Sequence, residues 1–81
     1  MQHIEIGYHA FTAQGGEEFG AVRDVLPQEV IVYVENAGDF RVPLAAVLRV
    51  HSQKVVFDAE QLDDTLRRAI AHAHDAEEPG L

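Results

Sequence analysis

The sequence predicts a mainly β domain of five to six short strands followed by one C-terminal amphipathic helix. Three observations carry this. Up to Phe57, short β-branched and aromatic runs are separated by turn residues, and from Asp58 onward a single helical period takes over. The charge shifts at the same place: residues 1–57 hold seven acids and four bases, and residues 58–81 hold seven acids and two bases. With 81 residues, 47% apolar and 25% charged, the chain has the length and composition of one small globular domain. The domain is expected to span residues 1–75, with residues 76–81, containing Pro79-Gly80, as a flexible tail.

Taken in order, His3 to Ala10 alternates, with Ile4, Ile6, Tyr8 and Ala10 on one side, as in a half-buried strand. Gly15-Gly16 breaks the chain. Phe19 to Leu26 is a second strand with an irregular period. Phe19, Val22 and Val25 are three residues apart, and only a β-bulge or strong coiling puts all three on one face. Gly20 fits a sharp bend or a close backbone approach. Leu26-Pro27-Gln28-Glu29 is a turn. Val30 to Val34 is a continuous β-branched and aromatic run, expected as a central strand. After the Asn36-Ala37-Gly38-Asp39 loop, Phe40 to Val42 resumes as a strand, and Pro43 to Val47 makes one tight helical turn. Leu48 to Val50 and Val55 to Phe57 form a hairpin across His51-Ser52-Gln53-Lys54.

The helix is expected over about residues 59–75. Asp58 is its N-cap, Gln61 has the capping-box spacing, and Phe57 with Leu62 matches a hydrophobic staple. Asp63→Arg67 and Asp64→Arg68 are i,i+4 pairs in the favourable order. Leu62, Leu66, Ala69, Ile70 and Ala73 fall in one apolar stripe, which either packs on the same β-domain or pairs with a second copy.

The β part resembles the PRC-barrel superfamily. The residues that carry the resemblance are Gly16-Glu17-Glu18-Phe19-Gly20-Ala21-Val22-Arg23-Asp24-Val25-Leu26, the Val30 to Val34 run, and then Val42-Pro43-Leu44, Val47 and Val50. They lie within residues 4–57, about two-thirds of the chain. The resemblance implies a small β-barrel acting as a docking or regulatory module, with no shared catalytic residue. The acidic helix expected after the β part departs from that pattern.

No constellation in the sequence assembles a reaction centre, so no catalytic, cofactor-binding or metal-ligating residue is assigned. There is no cysteine. His72 and His74 are two apart, which on a helix separates them by about 200°. His3 and His9 are too far apart along one strand to share an ion, and His51 sits in a hairpin turn. Ser52, the only serine, adjoins His51 without a nucleophile elbow. Asp63-Asp64 and Glu77-Glu78 are successive residues whose side chains diverge, and Gly15-Gly16 lacks a phosphate-loop lysine.

A net charge of −8 disfavours nucleic acid, since a phosphate backbone calls for a basic stripe. The longest apolar run, Pro43 to Leu48, is far short of a membrane span, and the N-terminus lacks a basic region and an apolar signal core. The expectation is therefore a cytoplasmic, non-enzymatic protein-binding or adaptor module, without cofactor or membrane insertion. It is expected to be homodimeric through strand edges or the helix stripe. The alternative is a small-ligand or metal-responsive sensor using the surface histidines, whose full protonation would bring the charge from −8 toward −3.

Overall fold

The computed structural model describes residues 3–14 and 16–76, with side chains as far as residue 71. Residues 77–81 of the expected tail and the His72, Ala73 and His74 side chains lie outside the described residues, whereas Ala76, expected to open the tail, instead belongs to the C-terminal helix. Six strands form one sheet: β1 (His9–Thr12), β2 (Glu18–Val25), β3 (Glu29–Val34), β4 (Gly38–Pro43), β5 (Val47–His51) and β6 (Lys54–Phe57). A C-terminal helix, α1 (Asp64–Ala76), follows. The strand order is β4-β3-β2-β1-β6-β5, antiparallel throughout except for the parallel pair β1 and β6. The mainly β class with one C-terminal helix is as the sequence predicts.

Chain connectivity forces this sheet to curl. Strands β4 and β5 stand at opposite ends of the order, which in a flat sheet would separate them by about 24 Å. Yet they are joined only by the 3₁₀ turn Leu44–Ala46, a link that reaches at most about 14 Å. Both sides of that turn are tied down: the Leu44 N–H donates to the Gln28 carbonyl at 3.0 Å, and the Asp58 N–H to the Ala46 carbonyl at 2.8 Å. The ends of the sheet thus approach each other, but the hydrogen-bond ladder stays open between β4 and β5.

Strand β2 supplies much of the bend. Against β1 the register runs Ala10↔Gly20 and then Phe11↔Glu18, leaving Phe19 as an extra residue. Against β3 it runs Val22↔Val32 and then Asp24↔Ile31, leaving Arg23 extra. These bulges answer the three-residue spacing in the sequence: Phe19 and Val22 are both buried, while Val25, at the strand end, remains 38% exposed. Gly20 sits where a side chain has no room, against the Tyr33 carbonyl and the Val32 side chain. On β3, Val30, Val32 and Val34 face inward and are fully buried, with neighbours on both sides as expected of an interior strand.

Two expected boundaries are corrected. The first strand begins at His9, not His3. Gly7 takes φ +98° and closes a turn in which the Tyr8 N–H donates to the Glu5 carbonyl at 3.2 Å. That turn breaks the alternation, so Ile4 is buried but Ile6 stands 67% exposed. The helix begins at Asp64, not after Asp58. Asp58 instead caps a separate 3₁₀ turn, Ala59–Gln61, by accepting the Glu60 N–H at 3.0 Å. Leu62 follows in extended conformation, and Asp63 is the cap of α1, accepting the Leu66 N–H at 2.8 Å. Because Asp63 caps the helix and Asp64 reaches Arg67 at i+3 (3.9 Å), neither expected i,i+4 pair forms among the described residues.

The Asp58 corner is clasped to the end of β1. The Gln14 amide donates to the Asp58 carboxylate at 3.0 Å, and its carbonyl accepts the Ala59 N–H at 3.0 Å. The Gln14 amide first, and then the Glu60 N–H, hold the Asp58 carboxyl below its ordinary value, against the opposing effect of desolvation.

The helix stripe packs on its own sheet. Leu62 and Leu66 are buried in the same core as Val22, Val32 and Phe57, with Ala69 and Ile70 half-buried against it, and α1 lies over β2 and β3. The Phe19 and Phe57 rings meet beneath it in a tilted contact, centroids 6.0 Å apart. Burial of Leu62 and Leu66 stabilises the fold by about 1.5–3 kcal/mol each before entropy is subtracted.

Candidate functional site

The distribution of charge over the sheet singles out one end. Residues 47–57, which form the β5–β6 hairpin, carry Arg49 and Lys54 and no acid, whereas the other 70 residues hold 14 acids against four bases. In an acidic chain this hairpin is the locally basic element. Its turn is built by Ser52 at φ +50° and Gln53 at φ +64°, the two left-handed positions of a type I′ turn. The Gln53 carbonyl accepts the His9 N–H at 2.9 Å, which locks the hairpin tip against β1.

Cross-strand register lays out the exposed face. A row runs across all six strands through Asp39, Tyr33, Ala21, His9, Lys54 and His51. A second row at the β5 end runs through Glu18, Phe11, Val56, which is buried, and Arg49. Lys54 lies over the Phe11 ring at 5.6 Å, so its ammonium keeps a cation–π contact and no carboxylate among the described residues. Arg49 forms no ion pair among the described residues. By contrast, Arg23 and Arg41 at the other end of the sheet are held by Asp39 (3.1 Å) and Glu29 (2.9 Å).

Strand β5 is also the sheet's edge, and it is interrupted. Register shifts between Val47 and Arg49, so Leu48 is an extra residue and stands 46% exposed. Leu48 and Arg49 thus put an apolar side chain and a guanidinium without a carboxylate partner among the described residues next to each other on an open strand edge. The sequence places both in a hairpin arm but gives no sign of the bulge that turns Leu48 outward, because a register shift depends on the partner strand.

The histidines do not converge. His3 bonds Glu5 at 2.6 Å, His9 bonds Glu18 at 2.8 Å, and His51 lies across from Lys54 at the base of the β5–β6 turn. No group of three metal-ligating side chains occurs among the described residues. Ser52 is occupied as a turn residue and Asp63 as a helix cap. Gly16 closes a turn, its N–H donating to the Thr12 carbonyl at 2.8 Å. No helix among the described residues is long and apolar enough to cross a membrane. Comparison with family models, curated proteins and solved structures finds no match to this chain.

Proposed function

We propose that the protein is a non-enzymatic, protein-binding adaptor module of PRC-barrel-like type, which engages its partner through the β5–β6 hairpin. The observation that carries the reading is the placement of exposed Leu48 beside Arg49, which has no ion pair among the described residues, on an open edge strand of an otherwise acidic chain. An edge strand offers unpaired backbone groups, an exposed leucine offers apolar area, and an arginine not engaged by a carboxylate of its own chain offers a bidentate contact to one from outside. The partner these features fit is an acidic segment with at least one apolar side chain.

Support for the PRC-barrel-like part comes from where its motif residues fall. Gly20-Ala21-Val22-Arg23-Asp24-Val25 lies along the bulged strand, and Val42-Pro43-Leu44 leads into the turn that joins the two ends of the curled sheet. Both are the places where a barrel of this size must bend. The test is capture of partners on immobilised protein, with mass-spectrometric identification, run beside Leu48→Asp and Arg49→Glu. The expected result is a partner held by the wild type and lost from both variants. A set of bound proteins identical for all three would overturn the assignment of the hairpin.

A further inference from the structure

The opposite edge of the sheet has a different chemistry, and it points to a second copy of this chain. We infer that β4 pairs antiparallel with β4 of another molecule, with Phe40 on the two-fold axis, to make a continuous twelve-stranded sheet.

Ladder parity sets which groups are free. The Leu44 N–H donates to the Gln28 carbonyl on the β4 side, and the Glu29 carbonyl accepts the Leu26 N–H on the β2 side. In an antiparallel ladder such roles alternate, so Val30 and Val32 bond Val42 and Phe40. Asp39 and Arg41 therefore aim their backbone N–H and C=O groups outward, at the open edge.

Those same two residues carry opposite charges on the exposed face, with Asp39 44% and Arg41 72% exposed. Antiparallel pairing centred on Phe40 sets each Asp39 directly across from Arg41 of the second copy. The outward backbone groups of both residues then meet as two hydrogen-bonded pairs, about four bonds in all. Each Asp39 would lie between its own Arg23 and the incoming Arg41, and each Arg41 between its own Glu29 and the incoming Asp39. The charges alternate in sign along the whole row. Pro43, which has no N–H, ends the pairing.

Other geometries are disfavoured by the same rules. In-register parallel pairing of β4 would set Asp39 beside Asp39 and Arg41 beside Arg41. The equivalent antiparallel operation on β5, centred on Arg49, would oppose two arginines and run into the Leu48 bulge. The two edges thus differ: β4 is self-complementary, and β5 is not. The inference goes beyond the adaptor reading and does not depend on it.

The experiment is sedimentation equilibrium of the full chain from 1 to about 100 µM, for wild type, Asp39→Arg, Arg41→Asp and a 1:1 mixture of the two variants. The expected wild-type species has twice the 9.0 kDa chain mass. Each variant alone opposes like charges at two positions and should raise the dissociation constant by about tenfold or more. In the mixture, a heterodimer sets the two arginines of one variant across from the two aspartates of the other, so both positions again oppose unlike charges. The mixture should therefore recover the wild-type mass. A second measurement needs only the wild type: amide exchange at Asp39 and Arg41 should slow as concentration rises. A 9.0 kDa species at every concentration, undiminished dimerisation of either variant, or concentration-independent exchange at those two amides would overturn the inference. A monomer that still captures a partner through the hairpin defeats the β4 dimer alone. A β4 dimer whose Leu48 and Arg49 variants capture the wild-type set defeats the hairpin assignment alone.

Discussion

Replacing Gly20 with alanine would place a Cβ 2.3 Å from the Tyr33 carbonyl oxygen, 3.1 Å from Val32 Cγ1 and 3.2 Å from the Tyr33 carbonyl carbon. Two of these are backbone atoms, so no rotamer change relieves the clash. To reach ordinary contact, β2 and β3 must part locally by about 1 Å. The neighbouring register pair is Ala21↔Tyr33, whose ladder hydrogen bonds would be stretched by that movement. Overpacking of this kind costs about 1–3 kcal/mol, and a weakened ladder bond adds about 0.5–1.5 kcal/mol. Reduced freedom of the unfolded chain returns about 0.4–1 kcal/mol. The net loss is about 0.5–4 kcal/mol, centred near 2 kcal/mol, a sizeable part of the roughly 4–12 kcal/mol expected of an 81-residue domain. Gly7→Ala is the internal control. Gly7 has φ +98° but no atom within 4 Å of a built Cβ, so only the conformational penalty of about 1–2 kcal/mol applies, less the same unfolded-chain term, a net loss of about 0–1.6 kcal/mol. Urea denaturation followed by circular dichroism, with the slope checked for constancy, separates the two. If Gly20→Ala lost less stability than Gly7→Ala, the close β2–β3 approach would be refuted.

Three further outcomes follow from particular contacts. Leu66 is 2% exposed, so Leu66→Ala should cost about 2–5 kcal/mol, and both Leu66→Asp and a chain ending after Phe57 should unfold or aggregate; a dispersed, full-length-like amide spectrum from residues 1–57 would show that α1 is an appendage. The Asp58 carboxyl titrates below its unfolded value of about 4, so its contribution to stability is present above that pH and fades as pH falls through the folded value. Gln14→Leu removes the largest cause of that depression, so the Asp58 titration followed by NMR should move upward in pH; an unchanged titration would contradict the clasp. Gln53→Gly relieves a left-handed residue while keeping the Gln53 carbonyl bond to His9, and should stabilise by about 0.5–1 kcal/mol in thermal melting; a lowered midpoint would argue against the type I′ turn.

Much of this architecture is legible in the residues because burial and turn chemistry are local signals. Val30, Val32 and Val34 give away an interior strand, and Phe19 with Val22 at a spacing of three gives away a bulge. The boundaries are less legible where one residue's backbone overrides a pattern. His3 to Ala10 alternates well enough for a strand, but Gly7 takes a positive φ and diverts the chain before His9. Asp58 and Asp63 are both competent caps, and pattern alone does not rank them. The structure uses both, because the Gln14 clasp ends the first turn after Gln61 and Leu62 is needed in the core. The candidate site is the least legible part. Leu48 and Arg49 matter through a register shift, an open edge and the absence of a nearby carboxylate among the described residues, all of which arise only when distant strands are brought together.

The most direct test of the account uses isotope-labelled protein titrated with the partner captured on the wild type, following backbone amide shifts. The predicted result is that perturbations concentrate in residues 47–54 and at His9 and Phe11 alongside them, and that Arg49→Glu abolishes them. Perturbations centred instead on the exposed face of β3 around Tyr33, with residues 47–54 unmoved, would contradict the assignment of the β5–β6 hairpin as the binding site.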